Sequence, residues 1–185
     1  MSRMPIRLAL GAAVLFGGAA AALAENPMVG GAPMYPEMNI VENAVNSADH
    51  TTLVAAVKAA GLVETLQGPG PFTVFAPTDD AFAALPAGTV ETLLKPENKD
   101  QLVRILTCHV VAANALSDAI AGMVADDGGA HPVRTVGGCE FTARVADGAI
   151  AIEDGQGNVA EVTIADVVQS NGVIHVIDKV LLPAS

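Results

Sequence analysis

Aromatic and basic side chains are scarce in this sequence of 185 residues. It contains no Trp, one Tyr and five Phe, so there are few rings on which a sugar could stack. Nine Lys and Arg oppose 20 Asp and Glu, which gives a formal net charge of −11. Nucleic acids and anionic membranes are bound through basic patches, so this balance argues against both as partners. We attribute the acidic excess to a solvated surface.

The sequence motifs of several enzyme and cofactor classes are absent as well. No G-x-S-x-G, H-E-x-x-H, P-loop or dinucleotide fingerprint occurs. The adjacent Asp79 and Asp80 have no further oxygen ligands at the spacing of a metal site. The loop "DGQGN" at 154–158 lacks the distal Glu of a calcium-binding loop. We therefore expect a protein without a catalytic centre, cofactor or metal.

Cysteine occurs only twice, at Cys108 and Cys139. A redox C-x-x-C motif is absent. Cys108 cannot act with the adjacent His109 as nucleophile and base, because neighbouring side chains diverge on a helix or a strand. In an exported chain, an isolated pair of cysteines is more often a disulfide than two free thiols. We therefore predict that Cys108 and Cys139 are joined.

The first 24 residues have the features of a signal peptide. Arg3 and Arg7 precede an apolar run, and Ala22-Leu23-Ala24 matches a cleavage site. The run is shorter than the roughly 20 apolar residues of a membrane span, so we expect no membrane insertion. The mature chain would be secreted or periplasmic, and the sequence leaves its oligomeric state open.

The mature chain begins with a predicted arm and two predicted helices. Residues 25–38, rich in Gly, Pro and Met, predict an extended arm. Asn39 and Glu42 form a capping-box pattern that opens a short helix. A second helix over 52–60 follows, and Gly61 is its expected stop.

Two later helices are predicted from their capping residues. Thr78 is the expected N-cap of a helix over 78–85, with two carboxylates in its first turn. Asn98 with Gln101 predicts another capping box. The helix that it opens carries apolar residues at helical spacing, and His109 extends this apolar face. A hydrogen-bonded core histidine is therefore the favoured interpretation of His109 over a ligand or a base.

Strand patterns dominate the second half of the chain. After a short helix at 117–124, the strand-like runs are 133–136, 139–146, 149–153 and 158–168, and an earlier one is 72–76. The terminal stretch "NGVIHVIDKVLLP" (171–183) is apolar on both alternating faces, so a strand there would be covered on both sides. His175 and Asp178 would point to opposite faces of it and could not form a catalytic dyad. His50 and His131 adjoin turn signals and are expected at the surface.

Two long segments carry a family resemblance. "GPFTVFAPTDDAFAALP" (70–86) and "NGVIHVIDKVLLP" (171–183) resemble the two signature segments of the fasciclin (FAS1) domain, and "ILTCHVV" (105–111) lies where that family has a third motif, usually Tyr-His. Residues 39–183 are similar to one such domain, in the form of a small secreted bacterial member. The resemblance implies an α+β fold, a twisted β-sandwich or wedge flanked by several short helices. The two signature strands would lie side by side in its core.

The resemblance also implies a function in adhesion or extracellular interaction, without catalysis. It implies that Thr78, His109 and His175 have structural roles. A segment just before the second signature is implicated in binding in animal members, and here it corresponds to Asp166 and Val167. The Tyr-His motif is altered, because Cys108 replaces the Tyr. The implied partner is a protein on a cell surface or in a matrix.

Two alternative functions are left open by the sequence. One is a carrier or receptor for a small apolar or saccharide ligand, which would require a concave pocket. The other is a hydrolase, in which His109 or His175 would have to meet a serine and a carboxylate from distant parts of the chain.

Overall fold

The computed structural model describes residues 26–184, so the predicted signal peptide over residues 1–24 lies outside the described residues. The helices are α1 (Ile40–Ala44), α2 (Thr51–Ala60), α3 (Val63–Gln67), α4 (Asp79–Ala83), α5 (Thr89–Leu93), α6 (Lys99–Cys108) and α7 (Ser117–Asp126), with a 3-10 turn at Pro96–Asn98. The strands are β1 (Met28–Val29), β2 (Ala32–Pro33), β3 (Phe72–Pro77), β4 (Val110–Val111), β5 (His131–Arg134), β6 (Glu140–Ala146), β7 (Ala149–Glu153), β8 (Val159–Gln169) and β9 (Gly172–Ile177). Within residues 26–184, no helix is long and apolar enough to cross a membrane.

Local capping explains where three helices begin or end. The Asn39 side chain accepts hydrogen bonds from the first turn of α1, and Glu42 completes the capping box. Helix α2 ends at Gly61, which has a left-handed φ of 74°. The Thr78 hydroxyl accepts the Ala81 N–H at 3.2 Å and so caps α4. These three predictions from the sequence are confirmed.

Seven strands form one sheet in the order β4-β3-β9-β8-β7-β6-β5. Only β3 and β9 are parallel neighbours within it, and the other pairs are antiparallel. The long strand β8 joins the two halves of the sheet. Its first residues, 159–161, pair with β7, whereas residues from Val162 onward pair with β9. The pairing register shifts between Val162 and Ile164 and again between Ile164 and Val167, and bulges of this kind bend a strand.

The two signature segments form the parallel pair β3 and β9, as expected. Five of the six residues in each of these strands are buried. The strands approach so closely at their start that a Cβ on Gly172 would overlap the carbonyl oxygen of Phe72. This contact explains the glycine in "NGVIHVIDKVLLP".

Each face of the parallel pair supports its own hydrophobic cluster. On one face, Val74 and Ile174 pack with residues from α1 to α6. On the other face, Phe75 and Ile177 pack with α7 and with strands β6 to β8. This arrangement of one sheet with short helices around it is the α+β class that the family resemblance implies.

The N-terminal segment differs from its prediction as an extended arm. Residues 28–33 form the β1/β2 hairpin, and both Val29 and Met34 are buried in the helical cluster. The Asn43 side chain anchors the segment, since its Oδ1 accepts the Tyr35 N–H at 2.9 Å and its Nδ2 donates to the Tyr35 carbonyl at 2.7 Å. Val29 and Met34 therefore belong to the core, whereas Met28 is exposed.

The capping box predicted at Asn98 is wrong. Asn98 ends a 3-10 turn with φ −105° and ψ 13°, and its side chain makes no capping bond to α6. Its Nδ2 donates instead to the Thr92 carbonyl oxygen at the end of α5, at 2.7 Å. The preceding turn places the asparagine outside the extended conformation that an N-cap side chain normally needs.

Candidate functional site

The bulge of β8, the buried ring of His175 and the start of α7 form one connected site. His175 lies at the centre of β9 and is fully buried. Its Nδ1 accepts the backbone N–H of Asp166 at 3.2 Å, and its Nε2–H donates to the Ala115 carbonyl oxygen at 2.8 Å. The ring also stacks on Phe75, with centroids 5.7 Å apart. Both ring nitrogens are thus used to hold backbone groups of two different segments.

Thr73 fixes the loop at 112–116 that leads into α7. Its hydroxyl donates to the Ala113 carbonyl oxygen at 2.6 Å and accepts the Ala115 N–H at 2.8 Å. Thr73 on β3 and His175 on β9 therefore act on the same loop. The central parallel pair positions the entry to α7 through these two polar side chains.

Asp166 occupies the β8 bulge with a left-handed φ of 57°, a conformation that Asp and Asn tolerate better than most residues. Its carboxylate accepts the Ser117 N–H at 2.7 Å and also the Ser117 hydroxyl. Ser117 is the first residue of α7. Asp166 therefore serves as a capping group for α7 from a distance of 49 residues along the chain.

Val167, the second residue of the predicted interaction pair, has no exposed surface. Its side chain is 0% exposed and belongs to the helical cluster. Its neighbour Val168 points to the other side of β8 and is 47% exposed, and Leu116, just before α7, is 40% exposed. The interaction role of Asp166 and Val167 stays a prediction, but the accessible apolar groups here are Val168 and Leu116.

His109 follows α6 and holds the C-terminal segment by the same kind of bonding. Its Nδ1–H donates to the Ile105 carbonyl oxygen at 2.8 Å, and its Nε2 accepts the Leu181 N–H at 2.9 Å. Burial lowers the pKa of His109 to about 4, so the ring is neutral at pH 7. Burial also lowers the pKa of His175. Within residues 26–184, the hydrogen-bond partners of both histidine rings are backbone groups and not serine hydroxyls.

Cys108 and Cys139 form a disulfide with their Cα atoms 5.4 Å apart. It links the last residue of α6 to the residue just before β6. Both cysteines are buried. Cys108 thus provides a covalent link beside His109, between the helical layer and the strand half.

The side chains of Asp79 and Asn171 also bind backbone groups that are distant in the sequence, and sequence analysis did not predict these contacts. The Asp79 carboxylate accepts N–H groups of Thr51 and Thr52 at 3.3 and 2.8 Å and so caps α2. Burial acts to raise the pKa of Asp79, but the hydrogen bonds from Thr51 and Thr52 outweigh it and lower the pKa. The Asn171 side chain accepts the Ile40 N–H at 3.1 Å and donates to the Leu66 carbonyl at 2.7 Å. Adjacent residues in the sequence give no signal for such long-range capping.

His50 is buried, and its expected surface position is therefore wrong. It precedes α2, is 3% exposed and has its Nδ1 2.8 Å from the Ser47 hydroxyl. By strict hydrogen-bond geometry, Nε2 has no partner among residues 26–184, although the Ala76 backbone lies close enough to the ring to favour its protonated form. Burial lowers the pKa of His50, although the nearby backbone of Ala76 acts in the opposite direction. The turn signals before α2 indicated a chain reversal correctly, but tertiary packing covers the side chain.

Comparison with known proteins defines the class to which this fold and site belong. A family model of the fasciclin domain matches residues 48–183. Protein sll1483 of Synechocystis sp. is 53% identical over 146 residues, which cover 79% of this chain and 74% of that protein. Immunogenic protein MPB70 of Mycobacterium bovis is 37% identical over 150 residues, covering 76% of this chain and 66% of that protein.

A solved structure shows the same fold. The FAS1 domain pair from the insect cell adhesion molecule fasciclin I superposes with a TM-score of 0.71 at 18% identity. The match covers 80% of this chain and 51% of that chain, so the chain spans about half of the solved pair. The chain belongs to the fasciclin domain family, and its fold is the FAS1 fold.

Substitution of Asp166 tests its role at the start of α7. We expect Asp166→Ala to lower the free energy of unfolding by about 3 kcal/mol, because the bonds to Ser117 are lost and alanine disfavours the left-handed φ. Asp166→Asn keeps an acceptor and tolerates that φ, so it should cost only about 1 kcal/mol. Urea denaturation measures both values. The control Asp118→Ala removes an exposed carboxylate in the first turn of α7 and should cost less than about 1 kcal/mol. Equal stability of Asp166→Ala and the parent would contradict the role.

The pH dependence of stability tests the buried state of His109. Its folded pKa of about 4 lies below the ordinary value of 6.5, so between these values the unfolded chain binds the additional proton. The free energy of unfolding should therefore be highest above pH 6.5 and fall as the pH decreases toward 4. His109→Gln removes this titrating group. From pH 6.5 to pH 4, the free energy of unfolding of the variant should therefore fall by about 3 kcal/mol less than that of the parent.

Urea titrations at pH 7, 5.5 and 4.5 measure the difference. The control is His131→Gln, which removes an imidazole that lies outside the core. The ring of His131 contacts the Asp127 carboxylate. Identical pH profiles for the parent and His109→Gln would show that His109 does not titrate in the expected way.

Proposed function

We propose that the chain is an exported, non-catalytic module for cell adhesion or extracellular interaction. The observation that carries this proposal is its membership of the fasciclin domain family, together with a fold like that of the FAS1 pair in an insect cell adhesion molecule. Its domain would extend over residues 39–183, and its partner would be a protein on a cell surface or in a matrix.

The disulfide supports a location outside the cytoplasm. Disulfides form and persist in oxidising compartments and are rare in reducing ones. The Cys108–Cys139 link agrees with a signal peptide over residues 1–24 and with a secreted or periplasmic mature chain. A strongly acidic composition, with a formal charge of −11 over the full sequence, favours solubility after export.

The geometry of the histidines supports a role without catalysis. A general base needs a ring nitrogen within reach of the proton that it removes. At His109 and His175, both nitrogens are bonded to backbone groups inside the protein. These bonds support a role for both residues in stabilising loops and not in general-base catalysis.

The proposed interaction surface lies around the contact between Asp166 and Ser117. Leu116 directly precedes Ser117, and Val168 follows Asp166 by two residues. Both apolar side chains are exposed although their backbone is fixed, since Val168 pairs with Val173 of β9 and the Leu116 carbonyl oxygen accepts the Ile120 N–H of α7. Apolar groups on a rigid backbone bind a partner at a low cost in conformational entropy. Asp166 contributes by positioning this surface, and Val167 contributes from the core beneath it.

A matched pair of valine substitutions tests this proposal. Val168→Ser removes an exposed apolar group from the proposed surface, whereas Val145→Ser removes one that is 44% exposed on β6 in the other half of the sheet. Both should change the free energy of unfolding by less than about 0.5 kcal/mol. Surfaces are coated with each protein at equal density and exposed to cells or envelope material of the encoding organism. The amount retained by the Val168 variant should be about one fifth of the amount retained by the parent.

The Val145 variant should retain as much material as the parent. Equal retention by both variants would remove this surface from the proposal. A parent protein that retains no more than its denatured, reduced form would contradict the adhesion function itself.

A further inference from the structure

Helix α7 has one buried side and one exposed side. Its buried residues, Ile120 and Val124, pack on the strand half of the sheet. The exposed side, which we call the α7 face, consists of Asp118, Ala119, Gly122, Met123, Ala125 and Asp126. Met123 is 36% exposed, and Leu116, directly before the helix, is 40% exposed. The α7 face thus combines exposed apolar groups with small residues and carboxylates.

Two features of α7 weaken the helix and are not explained by packing. Gly122 lies in mid-helix, where glycine is less favourable than alanine, and a Cβ at this position would meet nothing within 4 Å. Asp126 and Asp127 lie at the C-terminal end, where the helix dipole disfavours negative charge, and the last turn has no basic residue. The His131 ring contacts the Asp127 carboxylate at 2.6 Å.

The rest of the domain holds the start of α7 in place. Asp166 accepts the Ser117 N–H, Thr73 accepts the Ala115 N–H, and His175 donates to the Ala115 carbonyl oxygen. A helix that is anchored from outside tolerates residues that weaken it. Departures from local preference of this kind are expected where a surface has a function.

The charge around α7 has one sign. Residues 105–133 contain no Lys or Arg. Their carboxylates belong to Asp118, Asp126 and Asp127. Ala143 of β6 is buried in the same cluster as α7, so the adjacent Arg144 points to the other side of the sheet. Arg144 pairs there with Glu153 at 3.0 Å.

We infer that the α7 face binds a basic amphipathic helix of a partner protein. The apolar side of that helix contacts Leu116 and Met123, and its Lys or Arg side chains approach Asp126 and the other carboxylates. Ala119 and Gly122 allow a second helix to come close, since the distance between helices depends on the side chains at the contact. An acidic segment would meet like charge. The inference rests on the proposed adhesion function, because it extends the surface at Leu116 along α7 and names the class of partner.

Three synthetic peptides of about 14 residues are suitable probes. The basic probe has Leu at the spacing of one helix face and Lys elsewhere. The acidic probe has Glu in place of each Lys, and the scrambled probe has the composition of the basic probe without helical periodicity. Each is titrated into the full mature chain at pH 7, and binding is followed by NMR shifts of the backbone amides.

In the parent, the basic probe should bind saturably and shift the amides of Ala119, Gly122 and Met123. Its affinity should decrease as salt is added, because salt screens exposed charges. The acidic and scrambled probes should bind about tenfold more weakly, since each lacks one of the two complementary features.

Two double substitutions separate the α7 face from the net charge of the protein. Asp126→Asn with Asp127→Asn should weaken binding of the basic probe about fivefold. The urea midpoint should not decrease, because carboxylates at a helix C-terminus do not stabilise it. Glu91→Gln with Glu97→Gln removes two exposed carboxylates from the helical half and should bind the basic probe as the parent does. Met123→Ser should weaken binding about fivefold at unchanged stability.

Equal binding of the basic and acidic probes, shifts outside α7, or an equal loss of affinity in both double variants would overturn the inference. The assay on coated surfaces separates it from the adhesion function. The Asp126 and Asp127 double variant should retain less material than the parent, and the Glu91 and Glu97 variant as much.

If the Asp126 and Asp127 variant retains as much as the parent while Val168→Ser retains less, the inference is wrong and the adhesion surface stands. If the parent retains no more than its denatured, reduced form while the basic probe binds at α7, the adhesion function is wrong and the inferred binding face stands.

Discussion

The parallel pairing of β3 with β9 is the contact on which the other parts of the structure depend. Both strands are buried on both faces, and a parallel pair needs a covering layer on each side. The helices α1 to α6 supply one layer, while α7 and the strands β6 to β8 supply the other. The loops that connect these layers must cross near the buried strands, and their backbone N–H and C=O groups need partners there. Polar residues on and around the central pair provide those partners.

His109 and His175 provide such partners in the same way but as opposite tautomers. His109 donates through Nδ1 and accepts through Nε2, whereas His175 donates through Nε2 and accepts through Nδ1. In each case, one neutral ring joins two backbone segments that are distant in the sequence. Replacing such a ring with an apolar side chain would leave two buried backbone groups unpaired. A structural demand of this kind accounts for histidine in a core without any appeal to catalysis.

How much of this could be predicted depends on whether the deciding contact is local. The caps at Asn39 and Thr78 and the stop at Gly61 involve neighbouring residues, and sequence analysis located them correctly. Apolar residues on both alternating faces likewise predicted that strand β9 is buried on both sides. Asp79 and Asp166, however, cap helices that lie 28 and 49 residues away, and no local pattern indicates such partners. The buried position of His50 and the docking of the N-terminal hairpin were missed for the same reason, since both are consequences of tertiary packing.

The most direct test of this account is the tautomeric state of His109 and His175. Long-range ¹H–¹⁵N NMR of the imidazole rings at pH 7 distinguishes a protonated nitrogen from an unprotonated one. The account predicts two neutral rings with single, opposite tautomers, Nδ1–H at His109 and Nε2–H at His175. A charged ring at either position, the reverse tautomer, or averaged signals from rapid tautomer exchange would contradict the structural role assigned to these residues.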